Sequence, residues 1–119
     1  MVYDYIIVGA GSAGCVLASR LSEDPDIQVL LLEAGGPDSR KEIHIPIAFS
    51  KLFQTTCDWS FYTEPEPYLK NRKLFWPRGK VLGGSSSINA MIYMRGHRAD
   101  YDHWRDLGNL GWSFSDVLP

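Results

Sequence analysis

The stretch Val8-Gly9-Ala10-Gly11-Ser12-Ala13-Gly14 constrains this chain more than any other. It follows the apolar run 3–8, Cys15 and the residues up to Leu21 continue it as a helical pattern, and Glu33 closes a second apolar run, 27–32. Strand, glycine turn, helix, strand and terminal acid make a dinucleotide-binding half-fold, with parallel strands expected to be covered on both faces. Gly9 permits the tight turn out of the strand. Gly11 has no Cβ to hold the backbone away from a pyrophosphate, and Gly14 lets the helix lie against the strand. The helix N-terminus offers unpaired N–H groups and the positive end of its dipole to phosphate. Glu33 follows Gly14 by 19 residues, near the ~20 at which an acid accepts ribose hydroxyls. Its charge would repel a 2′-phosphate, so an NADP-type ligand is disfavoured. The unit by itself leaves NAD and FAD open.

Composition narrows the rest. With 119 residues, 45% hydrophobic and 22% charged, the chain has the balance of a soluble globular domain. A net charge of −2 gives no general case for nucleic acid. Five bases (Lys70, Arg72, Lys73, Arg78 and Lys80) do fall within eleven residues. They read as a solvated hairpin face or as charge balance for phosphates. Cys15 and Cys57 lack metal-ligand spacing. Cys15 reads as a small side chain facing the sheet, and a reducing compartment is the default. No apolar run reaches the ~18 residues of a membrane span. Nor does Met1-Val2-Tyr3-Asp4 begin a signal peptide, so a cytoplasmic protein is expected, with peripheral membrane attachment left open.

Three segments follow: a βαβ unit over 1–36, an insertion over 37–77, and a second glycine motif with helices over 78–119. The first helix spans 12–21 and buries one side. Pro46 opens a short helix over 47–53. Residues 59–63 and 73–76 read as a hairpin turning at Asn71-Arg72, with Pro65 and Pro67 confining it to an edge. About 40 residues without the β-α-β pattern is long for a loop, so the insertion is expected to cover a ligand. A helix is predicted over 85–95 with Ile88, Met91 and Ile92 inward. A short amphipathic helix over 100–107 ends at Gly108, and Ser113-x-x-Asp116 forms a capping box opening another. That helix is cut at Pro119, which leads us to expect a fragment.

The second motif, Arg78-Gly79-Lys80-Val81-Leu82-Gly83-Gly84-Ser85-Ser86-Ser87-Ile88-Asn89, is more specific than the first. A Gly-Gly turn running into serines offers a nest of N–H donors, and the glycines let the main chain lie against a flat ring or a phosphate. With both motifs, and with Tyr93, Arg95-Gly96-His97, Asp100-Tyr101-Asp102 and Trp104 continuing them, the sequence resembles the glucose–methanol–choline (GMC) oxidoreductase family. The likeness runs over essentially the whole chain and is strongest to the choline dehydrogenase and alcohol dehydrogenase branch.

The resemblance implies an α/β, Rossmann-like FAD-binding domain with a lid and hairpin insertion. It implies that Gly9, Gly11, Ser12, Ala13 and Gly14 hold the pyrophosphate and that Glu33 and Ala34 bind the adenosine ribose. Arg78, Gly79, Val81, Leu82, Gly83, Gly84 and Ser85 would follow the ribityl chain and the flavin. Asn89, Ala90, Met91 and Ile92 would stand beside the ring, and Trp59 in the lid near the adenine end. Similar enzymes with covalent flavin have a His before this Asn; here that position is Ile88, so attachment is expected to be non-covalent. No metal site is implied.

The implied activity is oxidation of alcohol CH–OH groups, as in choline or alcohol dehydrogenases, with hydride passing to flavin N5. Its partners would be a small alcohol, an electron acceptor (a quinone, a dye-like acceptor or oxygen) and the remainder of a longer chain. The family's catalytic bases, a His and a second His or Asn, lie far toward the C-terminus of chains several hundred residues long. His44, His97 and His103 match neither, and each is expected to be structural or exposed, so no catalytic residue is assigned. An FAD-containing lyase or photodecarboxylase on the same scaffold is an alternative reading, as is a non-catalytic nucleotide-binding fragment.

Overall fold

Strand β1 (Tyr5–Val8) and strand β2 (Val29–Leu32) pair in parallel, with Tyr5 opposite Val29 and Val8 opposite Leu32. The structure, a computed structural model, describes residues 2–118. Helix α1 (Ser12–Leu21) makes the crossover. It meets the strand at Gly14, its one buried residue, where a Cβ would overlap the Gly9 carbonyl oxygen. The sequence around Asp24 then ends the excursion, Asp24 accepting a hydrogen bond from the Asp26 N–H at 3.0 Å, an Asx turn.

The expected burial of these strands on both faces is not met. Ile6 is 60% exposed, Val8 84% and Val16 on α1 60%. Two strands and one helix cannot cover one another's outer faces, so the apolar composition of a doubly covered sheet meets solvent here. Cys15 turns its thiol back to the Ala10 carbonyl at 3.2 Å.

The insertion contains two 3-10 segments, Lys41–His44 and Pro46–Leu52. Pro46 starts the second as expected, although it is a 3-10 and not an α-helix and ends at Leu52. Strands β3 (Phe61–Tyr62) and β4 (Phe75–Trp76) form the predicted antiparallel hairpin, Phe61 opposite Trp76 and Tyr62 opposite Phe75. Its turn lies earlier than predicted. The Glu66 carbonyl accepts from both the Leu69 and Asn71 N–H groups, and Lys70 and Asn71 take left-handed φ angles of 58° and 54°.

The predicted helix over 85–95 does not form. Only Gly84–Ser87 makes a 3-10 turn, and residues 88–97 follow without regular structure. Asn89 Oδ1 accepts from the Met91 N–H at 2.9 Å, and Met91 sits at a φ of 54°. Such a local side-chain bond offers the backbone an alternative to the helical ladder. Ile88 is buried as expected, but Met91, Ile92 and Tyr93 are exposed. Helix α2 (Arg98–Asp106) is capped by His97, whose Nδ1 accepts from the Ala99 N–H, and ends before Gly108. The Ser113/Asp116 capping box opens α3 (Phe114–Val117), and Asp102 accepts from the Phe114 N–H at 3.1 Å, tying α2 to α3. The hydrophobic core is Leu52, Cys57, Val81 and Ile88, with Ile43 and Phe53 packed against it. It therefore joins the insertion to the second glycine motif.

Candidate functional site

The carboxyl ends of β1 and β2 open into a cleft of about 680 Å³, where parallel α/β units place their ligands. Val8, Gly9, Gly11, Leu32, Glu33 and Ala34 line one side; Trp59, Phe61, Arg78, Gly79, Gly84 and Ser85 line the other. The two walls are joined backbone to backbone. The Gly83 N–H donates to the Ala10 carbonyl at 2.7 Å and the Leu82 N–H to the Gly36 carbonyl at 2.9 Å. Val81 pairs in parallel with Gly36, so the second motif runs alongside the first as an added strand would. Gly84, at a φ of 56°, faces Gly11 so closely that a Cβ would stand 2.8 Å from the Gly11 Cα. The hydroxyls of Ser12 and Ser86 hydrogen-bond across the same junction.

Glu33 is held by two backbone donors. Its Oε2 accepts from the Ala10 N–H and its Oε1 from the Gly35 N–H, both at 2.8 Å. The acid thus braces the glycine turn as well as facing the cleft, and each oxygen keeps a second acceptor site for a ligand hydroxyl. Charge on the opposite wall is steered by aromatic rings. Lys80 Nζ lies 4.6 Å from the centre of the Trp59 ring, and the Arg78 guanidinium 5.1 Å from that of Trp76. Trp59 stacks on Phe61 with 9° between the ring planes.

The residues present fit an extended dinucleotide. A Cβ built on Gly11 would meet no protein atom within 4 Å, so that glycine leaves room the protein itself does not use. The cleft lining brings together an acid (Glu33), the glycine turn at the start of α1 (Gly9 and Gly11), and Arg78, Gly84 and Ser85 of the second motif.

Of the residues singled out in sequence, Gly9, Gly11, Glu33, Ala34, Trp59, Arg78, Gly79, Gly84 and Ser85 come together at the cleft. Gly14, Val81, Leu82 and Gly83 shape it from behind, while Ser12 and Ala13 lie on the exposed first turn of α1. Asn89, Ala90, Met91 and Ile92 are exposed and outside it. Sequence reasoning named Ser86 only within the second motif and passed over Phe61 and Asp58. The last carried a signal, an acid set directly before an aromatic run in a mostly uncharged stretch. His44 Nε2 is 2.7 Å from the Asp38 carbonyl oxygen, His97 caps α2 and His103 is exposed, so none lines the cleft. Among the described residues no group of three His, Cys, Asp or Glu could hold a metal ion, and no helix is long and apolar enough to cross a membrane.

Comparison with known proteins bears on the family and the fold. The family model described as GMC oxidoreductase matches residues 3–119. The alcohol dehydrogenase [acceptor] of Pseudomonas putida is 56% identical over 95% of this chain and 21% of its own length. The oxygen-dependent choline dehydrogenase of Brucella anthropi is 53% identical over the whole chain and 22% of its own length. Among solved structures, pyridoxine 4-oxidase from Mesorbium loti superposes with a TM-score of 0.82 at 44% identity, covering 99% of this chain and 23% of that one. The chain therefore spans about a fifth of the length of the proteins it matches.

Proposed function

The chain belongs to the GMC oxidoreductase family, and from that premise we propose that it forms the FAD-binding part of an alcohol-oxidising flavoenzyme. The observation that carries this reading is the junction of the two glycine motifs, Gly84 against Gly11, at the carboxyl ends of β1 and β2. Two glycine loops meeting in a cleft that also holds an acid, Glu33, and a cation, Arg78, suit a ligand that carries both ribose hydroxyls and a diphosphate.

The proposed roles follow from the chemistry of the groups. Backbone N–H groups at the start of α1 bind pyrophosphate oxygens, helped by the helix dipole. Glu33 accepts ribose hydroxyls on its remaining acceptor sites. Trp59 and Phe61 give an aromatic wall, and Arg78 and Lys80 balance phosphate charge. Ile88, buried in the core, has no nucleophile with which to attach a ring, so binding is non-covalent. When bound, FAD supplies the hydride acceptor for oxidation of a CH–OH group. Residues 1–36, 37–77 and 78–119 divide the work as dinucleotide unit, cover and second flavin motif. A base for the hydroxyl proton, the alcohol pocket and the route to an electron acceptor belong to the other four fifths of such an enzyme.

A chimera tests this: residues 1–119 replace the matching fifth of the Pseudomonas putida alcohol dehydrogenase. We expect stoichiometric flavin, reduced by added alcohol and released into the supernatant by acid. Flavin-free protein that binds NAD would overturn the reading, and flavin that stays with the acid precipitate would overturn its non-covalent part.

A further inference from the structure

Asp58 is the one buried carboxylate among the described residues, 6% exposed, and no cation pairs with it there. Three backbone N–H groups satisfy it instead. Oδ2 accepts from Gln54 at 2.9 Å; Oδ1 accepts from Ser60 at 3.0 Å and from Arg78 at 2.9 Å.

Two of these donors are unusual. Gln54 and Ser60 have φ angles of 57° and 52°, the left-handed region that L side chains rarely adopt. Both bends present their N–H to the same carboxylate, so Asp58 compensates the two strained positions of the loop with charge-assisted hydrogen bonds. The third donor reaches across to the second glycine motif. There the Trp59 N–H donates to the Arg78 carbonyl and the Lys80 N–H to the Cys57 carbonyl, each at 2.8 Å. Trp59, Phe61, Arg78 and Gly79, four residues of the far cleft wall, therefore take their positions from a segment pinned at Asp58.

We propose that Asp58 is a positioning residue for the FAD cleft: its carboxylate gathers the Gln54, Ser60 and Arg78 N–H groups and so holds Trp59 and Arg78 opposite the first glycine turn. The inference rests on the FAD reading above. Asp58 does not itself line the cleft; it acts through lining residues that it holds, Arg78 by hydrogen bond and Trp59 as its neighbour in the chain.

The test uses the chimera with Asp58→Asn and Asp58→Ala. Asn keeps an oxygen for Ser60 and Arg78 but turns an NH2 toward the Gln54 N–H, donor against donor. Ala removes both acceptor oxygens and with them all three hydrogen bonds. We expect the FAD dissociation constant to rise roughly threefold for Asn and roughly tenfold or more for Ala, in step with the hydrogen bonds lost. The circular dichroism of the bound flavin in the visible region should change in the same order, reporting a moved wall. Cooperative apoprotein melting in both variants, with unchanged affinity and flavin dichroism, would overturn the proposal. Failure of both variants to fold would overturn it too, making Asp58 a residue of the fold alone. A chimera with Asp58 intact that holds no FAD would instead bring down the FAD reading, and this inference with it.

Discussion

Gly11 and Gly84, one from each glycine motif, lie against each other with no space for a methyl group between them: a Cβ on Gly84 would come within 2.8 Å of the Gly11 Cα. The relation is one-sided, because a Cβ on Gly11 points into open space. Gly84→Ala is therefore expected to strain the fold. Its left-handed backbone alone costs about 1–2 kcal/mol for a residue with a Cβ, and the contact adds to that. Gly11→Ala should leave the melting temperature unchanged while weakening FAD binding by roughly tenfold or more, about 1.4 kcal/mol per decade. Thermal melts and flavin titrations of the two variants separate these effects; equal behaviour would contradict the assignment of the open side to ligand.

Glu33→Gln should act on both binding and stability. An amide NH2 must face either the Ala10 or the Gly35 N–H, where the carboxylate now accepts both. An unsatisfied donor of this kind costs about 1–3 kcal/mol. FAD affinity should fall roughly tenfold as charge-assisted bonds to ribose are lost. A variant with unchanged melting and unchanged affinity would mean that neither role is real.

Acid should weaken the fold in a defined window. Burial works against the charged form of Asp58, but the Gln54, Ser60 and Arg78 N–H groups outweigh it and hold the carboxyl below its usual range. The Ser113 hydroxyl and backbone N–H do the same for Asp116. Depressed carboxyls stabilise the fold above their unfolded value, about 3.9, and that stability is lost as pH falls through the folded one. The melting temperature should be flat from neutrality to about pH 5 and drop below about pH 4. Asp58→Asn should shallow that drop, and a melting temperature that rises on acidification would contradict the sign.

Residues 1–119 alone are expected to turn over no alcohol and to self-associate. The radius of gyration is 18.7 Å, against about 13.5 Å for a compact domain of this length. Val8, Ile47, Ile92 and Leu110 are all more than three-quarters exposed, an invitation to aggregate. Dye reduction with choline and aliphatic alcohols in added FAD, followed by sizing, checks both halves. A monomer that unfolds cooperatively would refute the second; turnover abolished by changing His44, His97 or His103 would refute the first.

What was legible in the sequence was what depends on local rules. The glycine turn, α1, the Ser113 cap and the position of Glu33 each follow from a few neighbouring residues. The hairpin was legible from its aromatic pairs, but its turn was not, since nothing in Lys70-Asn71 announces two successive left-handed residues. The 85–95 helix failed for a related reason. Its apolar spacing was helical, yet the Asn89 side chain captured the Met91 N–H, and Ile92 and Tyr93 found nothing to pack on. Asp58 stood out only as a lone acid before an aromatic run; its three partners are backbone N–H groups, which leave no trace in side-chain identity. Meeting of the two motifs at Gly11 and Gly84 could be expected from a shared ligand, whereas their direct backbone contact could not.

The core that joins Leu52 and Cys57 to Val81 and Ile88 has a kinetic consequence. The insertion gives Trp59 and Phe61 to the cleft wall, and its Leu52 and Cys57 form the hydrophobic interior shared with the second glycine motif. Swinging it aside would bring Leu52 and Val81, which are 0% and 1% exposed, into water. At about 1.5–3 kcal/mol for each such side chain, with Cys57 and Ile88 adding to the total, opening amounts to partial unfolding of this half of the chain. On the FAD reading proposed above, the cofactor would enter while the polypeptide folds around the cleft, before the insertion has packed onto the second motif.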